Sequence, residues 1–226
     1  MSIKVVNDFD ELVSTPFANG INALCWQRNL LGDFNEVVDL LNSTEEITTL
    51  DKSSLNTLSL GEAGKFARDT LIEDLRLLHD HGLSPTLDCI REYPRDEEDK
   101  IVPTDVYSFH VDSAQIAADT YLCTYAGAAS EGIDNDAAIR KIDLPETRTD
   151  LLNQFGGEDN DEFRNYLSEQ CYDLHYAPLS QSQPFSFGLG NLWRIALQHP
   201  GCPVPPCIHR APETLPGSSP RLLLIS

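Results

Sequence analysis

His110, Val111 and Asp112 close an alternating run that begins at Val106 and reads Val-Tyr-Ser-Phe-His-Val-Asp. In an extended strand, residues two apart project from the same face. Val106, Ser108, His110 and Asp112 are therefore expected on one face, and Tyr107, Phe109 and Val111 on the other. An imidazole and a carboxylate held side by side on a rigid strand supply two of the three ligands of a two-histidine, one-carboxylate iron site. A further imidazole is available far downstream, from His209 in Cys207-Ile208-His209-Arg210-Ala211-Pro212. Arg221 comes later, in Ser219-Pro220-Arg221-Leu222-Leu223-Leu224-Ile225, an apolar run that also reads as a strand.

Neutral imidazoles and one carboxylate suit high-spin ferrous iron and leave three positions of an octahedron open. A guanidinium is permanently charged and binds a carboxylate through two parallel hydrogen bonds, so Arg221 suits a buried acidic ligand. In order and strand context these four residues resemble the Fe(II)/2-oxoglutarate-dependent dioxygenases, a superfamily built on a double-stranded β-helix of the jelly-roll, cupin-like kind. The resemblance covers roughly residues 84–226. It implies His110, Asp112 and His209 as ligands of Fe(II), with open positions for 2-oxoglutarate and O2. It further implies that Arg221 pairs with the distal carboxylate of 2-oxoglutarate. Halogenating relatives carry a small residue where this chain has Asp112, so hydroxylation, desaturation or cyclisation is implied instead. The stretches Phe109–Asp112 and Cys123-Thr124-Tyr125-Ala126-Gly127 also look like a little-characterised group of short proteins in that superfamily, from which no substrate carries over.

Asp119-Thr120-Tyr121-Leu122-Cys123-Thr124-Tyr125 reads as the next strand. Alternation puts Tyr121, Cys123 and Tyr125 on one face and Thr120, Leu122 and Thr124 on the other. Related oxygenases often place a hydroxyl here that donates to the carboxylate held by the arginine. The resemblance thus implies Tyr125 first, and Thr124 second, as cosubstrate-binding groups. The alternative is that these tyrosines are half-buried sheet residues with a wet hydroxyl.

Such a site needs a scaffold. Residues 1–83 read as mainly helical: Asp33 caps a segment running to Leu41, and Ser59-Leu60-Gly61-Glu62 has the form of a capping box. An apolar stripe of Leu60, Ala63, Phe66, Ala67, Leu71, Leu75 and Leu78 comes next, closed by Gly82. From Pro85 the texture changes to short alternating runs at 86–92, 104–112, 119–126, 185–197 and 220–226, with Gly- and Pro-rich turns between them. The stretch 185–197 resembles a hairpin and strand preceding the distal histidine. The expected fold is α+β, one domain over 1–226. Its N-terminal helices would pack on a jelly-roll core spanning 84–226. An acidic insert, 128–183, interrupts that core and is either a lid over the site or a solvated decoration.

Composition narrows the partners. The net charge is −20, from 36 acidic against 16 basic residues. Such a surface repels nucleic-acid phosphate and anionic lipid, so neither nucleic acid nor membrane is expected as a partner. The N-terminal residues reach acidic positions without an apolar stretch, so a cytoplasmic location is expected. Six scattered cysteines do not form a disulfide scaffold. Cys202 and Cys207 could be reduced thiols, a local disulfide or half a zinc site, and Cys207 shares strand parity with His209. The expected activity is oxidation of a C–H bond in a small molecule such as an amino acid or natural-product intermediate. A metal cupin enzyme that needs no 2-oxoglutarate, and a jelly-roll binding module without catalysis, are the alternatives.

Overall fold

The computed structural model describes residues 3–41, 43–96, 99–214 and 217–226; Met1 and Ser2, part of the N-terminal stretch read above, lie outside them. In chain order the strands are β1 (Ile3–Val6), β2 (Ala23–Trp26), β3 (Ile47–Leu50), β4 (Thr86–Ile90), β5 (Asp119–Ala126), β6 (Glu131–Ile133), β7 (Ala138–Arg140), β8 (Tyr176–Pro178), β9 (Phe185–Ser186), β10 (Leu192–Ala196), β11 (Ile208–Arg210) and β12 (Arg221–Ile225). The α-helices are α1 (Phe9–Ser14), α2 (Phe34–Leu41), α3 (Lys52–Thr57), α4 (Glu62–Asp80), α5 (Pro145–Phe155) and α6 (Asp161–Glu169). The fold is mixed α+β. Among the described residues, no helix is long and apolar enough to cross a membrane.

A seven-stranded sheet in the order β1-β2-β10-β5-β12-β4-β3 forms the centre. Its strands pair antiparallel except β1 with β2. Both faces are covered. Leu222 and Leu224 of β12 join Leu12, Val37, Leu55, Leu71 and Leu78 in a core under helices α1–α4. Each fully buried leucine stabilises by about 1.5–3 kcal/mol relative to exposure, which fixes the helical layer to the sheet. Leu223 faces the other way, with Ile90, Leu122, Trp193 and Ile195, and meets Phe187 and Cys207 on the side of the second sheet. That second sheet has the order β11-β6-β9.

The N-terminal third departs from expectation. It holds α1–α4, but β1, β2 and β3 also lie in it and extend the large sheet at both edges. Asp33 does cap α2, its Oδ1 accepting from the Asn35 and Glu36 amides. The capping box at Ser59–Glu62 does not form. Gly61 is the N-cap of α4 without a side-chain cap bond, and its amide donates instead to Glu36 Oε1 at 2.6 Å. Phe66 is 60 % exposed and lies off the buried stripe.

One acid sits on that stripe. Asp74 is 2 % exposed, between Leu71 and Leu78 on the sheet-facing side of α4. A buried carboxylate requires partners. Asp74 has two: Arg28 Nη1 at 2.7 Å and the Tyr125 hydroxyl at 2.5 Å. Arg28 also donates to the Gly190 carbonyl at 2.8 Å and to Cys123 Sγ at 3.3 Å.

The insert begins later than expected. Residues 128–133 are core, because β6 pairs with both β11 and β9. The insert itself is a small ladder of β7 and β8 with α5 and α6 between them. Pro145 opens α5, Gly156 ends it at φ 72°, and Asn160 caps α6 through the Glu162 and Phe163 amides. Phe163, Leu151, Leu167 and Ile142 form a separate core with Val102. The run 185–197 is not a hairpin within one sheet. Gly188 and Gly190, at φ 71° and 75°, turn the chain from β9 in the small sheet to β10 in the large one.

Candidate metal centre

The segment carrying His110 and Asp112 is not the continuous strand expected over 104–112. Asp105 Oδ1 accepts from the Tyr107 amide at 3.1 Å and from the Ser108 amide at 3.3 Å, which folds a turn into its first half. Beyond the turn the chain is extended. His110 and His209 exchange both backbone hydrogen bonds at 2.9 Å, so the two histidines are directly opposite and project from the same face. His110 also bridges to His175 on its other side. The expected partition of side chains holds except at Ser108: Tyr107, Phe109 and Val111 are buried and Val106, His110 and Asp112 line one cavity, whereas Ser108 is not among its lining residues.

His110, Asp112 and His209 can each turn one ligand atom into a cluster whose atoms lie within 4.8 Å of one another. Asp112 carboxylate oxygens are 3.9 Å from His110 Nε2 and 3.7 Å from His209 Nε2. The tautomers are fixed by the backbone. His110 Nδ1 donates to the Ser108 carbonyl at 2.8 Å, and His209 Nδ1 donates to the Cys207 carbonyl at 3.2 Å. Both Nε2 lone pairs are thereby left for a metal, as in most metal-binding histidines. Lys141 holds Ser108 in turn, with Nζ 2.8 Å from its hydroxyl.

Electrostatics agree with a neutral imidazole at residue 110. Burial, then the neighbouring His209, push the His110 pKa down to about 4. Burial alone would raise Asp112, but His209, the Thr120 hydroxyl and His110 outweigh it and hold the carboxyl below its ordinary value. Thr120 Oγ1 donates to Asp112 Oδ2 at 2.6 Å, fixing the carboxylate rotamer. Thr120→Val is expected to weaken divalent-metal affinity about 10- to 100-fold, the usual cost of losing a hydrogen bond that orients a metal ligand. Isothermal titration with Fe(II) or Co(II) measures it, and an unchanged denaturation midpoint would show that the loss is local.

Arg221 reaches the same cavity from β12 and is 6 % exposed. It forms no ion pair among the described residues. Its Nη2 donates to Thr124 Oγ1 at 3.1 Å and to Ser130 Oγ, and Nη1 lies 3.4 Å from the Tyr93 hydroxyl. Its Nε is buried without a partner among the described residues. Burial, against the weaker pull of Tyr93, pushes the guanidinium pKa below its ordinary value. Gly127 lets the preceding chain close on this strand. A Cβ there would lie 2.8 Å from the Pro220 carbonyl and 2.9 Å from Arg221 Cα, and its φ of +76° disfavours any side chain.

The structure brings His110, Asp112, His209, Arg221 and Thr124 together, and it does not bring Tyr125 with them. β5 is buried on both faces, and Tyr125 points into the helix-covered one, stacked on Phe34 and bonded to Asp74. Alternation alone cannot say which face is which. Sequence reasoning also misses Tyr93 and Ser130. It places Ser130 in the insert and Tyr93 in a loop, and neither carries a local signal. Thr120 has one, since it shares the Leu122 and Thr124 face. All six cysteines are free, so no disulfide joins Cys202 and Cys207, and among the described residues neither belongs to a group of three or more metal-ligating side chains; Cys202 Sγ donates to the Val204 carbonyl at 3.2 Å.

The insert does not cover the site in this structure. No residue of 134–183 lines the cavity. Instead Ala137, Ala138, Leu174 and Tyr176 pack on Phe109, Val111, Ile133 and Ile208, the outer face of the second sheet. The insert therefore packs on the back of the metal-ligand strands, while its His175 stands beside His110, ring centroids 5.7 Å apart.

Comparison with known proteins finds no matching family model, no curated relative and no similar solved structure.

Proposed function

We propose that the protein is an Fe(II)- and 2-oxoglutarate-dependent oxygenase acting on a C–H bond of a small molecule. One observation carries the reading: a buried guanidinium without an acidic partner among the described residues faces the same cavity as a preformed three-donor metal cluster. A desolvated unpaired cation is costly, and its natural complement is an anion that arrives with the ligand. The strand order supports a double-stranded β-helix beneath the site. The chain alternates between the sheets: β4, the extended segment at 110, β5, β6 and β9, then β10, β11 and β12.

The donor set fits ferrous iron. Two imidazoles, each with Nδ1 bonded to a backbone carbonyl, and a hydrogen-bonded carboxylate converge on one point, the donor set of a facial triad. When bound, iron would supply O2 activation coupled to oxidative decarboxylation of the keto acid. His110 and His209 would hold it through Nε2 and Asp112 through its carboxylate. Arg221 would grip the distal carboxylate of 2-oxoglutarate. Tyr93, Thr124 and Ser130 accept from the guanidinium, so each keeps its own hydroxyl proton to donate to that carboxylate. Leu122, Val106, Leu223 and Ala211 exclude water from the space between.

Anaerobic addition of Fe(II) and 2-oxoglutarate tests the proposal. The keto-acid chelate is expected to give a weak visible charge-transfer band at one equivalent of metal, absent in His209→Ala. Tight metal binding without a band would instead support a metal protein that does not use the keto acid, and the reading would fall.

A further inference from the structure

The cavity holds a second charged group that the metal and keto acid do not use. Asp88 lies on β4 and faces the same space as His110, Asp112, His209 and Arg221. In register it sits opposite Leu223 of β12 and Thr49 of β3, while Arg221 is opposite Ile90. Asp88 is therefore two residues along β4 from the level of Arg221, about 7 Å at the usual rise per residue. It also lies one strand nearer the sheet edge. Ile47, 39 % exposed on edge strand β3, stands at the outer side of the cavity.

Among the described residues Asp88 has no cationic partner within ion-pair distance. Its two oxygens accept from Thr49 Oγ1 at 2.6 Å and from Thr86 Oγ1 at 3.3 Å, which hold the carboxylate in place without neutralising it. The remaining walls nearby are aliphatic: Ile47, Ile90, Leu122, Leu223 and Ile225. The cavity volume is about 200 Å³. A fixed carboxylate beside an aliphatic wall, in a protein with few basic residues to neutralise it, recognises a cation attached to a short carbon chain.

Resting on the oxygenase reading, we infer that the prime substrate is a compact amine, its ammonium or guanidinium group anchored by Asp88 and its carbon chain lying along the aliphatic wall towards the metal. Anionic substrates are disfavoured at this position by Asp88. Asp88 is a specificity-determining residue and Arg221 is kept for the keto acid, so the two charged side chains of the pocket outside the metal ligands sort two ligands by sign.

The test uses simple probes. n-Butylammonium, 1-butanol and butyrate are titrated into the protein at constant ionic strength with 2-oxoglutarate saturating Arg221, following amide shifts of Asp88 and Leu223 by NMR. Butylammonium is expected to bind at least ten times more tightly than butanol, with butyrate the weakest. Asp88→Asn should bring butylammonium to the level of butanol and leave 2-oxoglutarate affinity unchanged. Equal affinity of the wild-type protein for ammonium and alcohol would overturn the inference without any variant, as would a preference that persists in a folded Asp88→Asn or Asp88→Ser protein. The charge-transfer band is read separately. A normal band with no ammonium preference sinks only this inference, whereas a missing band sinks the oxygenase reading.

Discussion

On the proposed oxygenase reading, replacing Arg221 by methionine is expected to make the protein more stable while abolishing 2-oxoglutarate binding. The two effects have one origin. The guanidinium is buried, has no acidic partner among the described residues and leaves Nε without any partner there, so folding strips it of water and gives back only hydroxyl contacts. Replacing buried charges by apolar groups of similar volume commonly stabilises by about 1–4 kcal/mol. Thr124 and Ser130 lose a donor in the variant, which offsets part of that, so a gain of about 1 kcal/mol is expected. Keto-acid binding should fall about 100-fold, since losing one member of a desolvated charge pair costs about 2–5 kcal/mol. Urea denaturation with and without 2-oxoglutarate reads both. The variant should lead without ligand, and the wild type should overtake it at saturating keto acid, which adds about 2.7 kcal/mol at a hundredfold excess over Kd. A variant that is less stable without ligand and binds the keto acid normally would show that Arg221 is a structural cation.

Asp74→Ala is expected to have the opposite character: a large loss of stability with an intact metal site. It would strand Arg28, which is paired with Asp74 at side-chain exposures of 7 % and 3 %, and would leave the Tyr125 hydroxyl without its acceptor. Breaking a buried pair by removing one partner costs about 3–5 kcal/mol. Tyr125→Phe should cost less, about 1.5–3 kcal/mol, the value of one hydrogen bond to a charged group. Neither change should alter Fe(II) or 2-oxoglutarate affinity, because the network lies on the helix-covered face of β5 and the ligand cavity on the other. A fall in keto-acid affinity for Tyr125→Phe would return that residue to the cosubstrate pocket.

The two faces of β5 also show how far the sequence can be read. The span 119–126 and its alternation are legible because a central strand is a continuous run of β-favouring residues with period two. Which face meets the helices is not legible from the strand itself, and the expectation for Tyr125 falls on the wrong side. A clue lies elsewhere, in Asp74. An acid three residues after Leu71 and four before Leu78 falls on the apolar stripe, and a buried acid calls for a hydroxyl or a cation opposite. For His110 and Asp112 the reverse holds. The backbone differs from expectation because Asp105 turns the chain, yet the side chains keep their faces, since the extended residues 109–112 are enough to fix parity. The small strands β1, β2 and β3 are hidden among helical signals, each being only 4 residues long. Tyr93 and Ser130 reach Arg221 only through tertiary packing.

The position of β12 has a consequence for how the chain matures on the ribosome. Residues 221–225 carry Arg221 and form the strip between β5 and β4, both of which emerge much earlier in synthesis. Until that strip arrives, two largely apolar borders remain unzipped, and such borders invite pairing between nascent chains. The sheet cannot be sealed before residue 225 has left the exit tunnel, and the last stroke that seals it also delivers the cation to the pocket. Nascent chains that stall before this point would therefore be sticky and would lack the Arg221 guanidinium in the cavity at once.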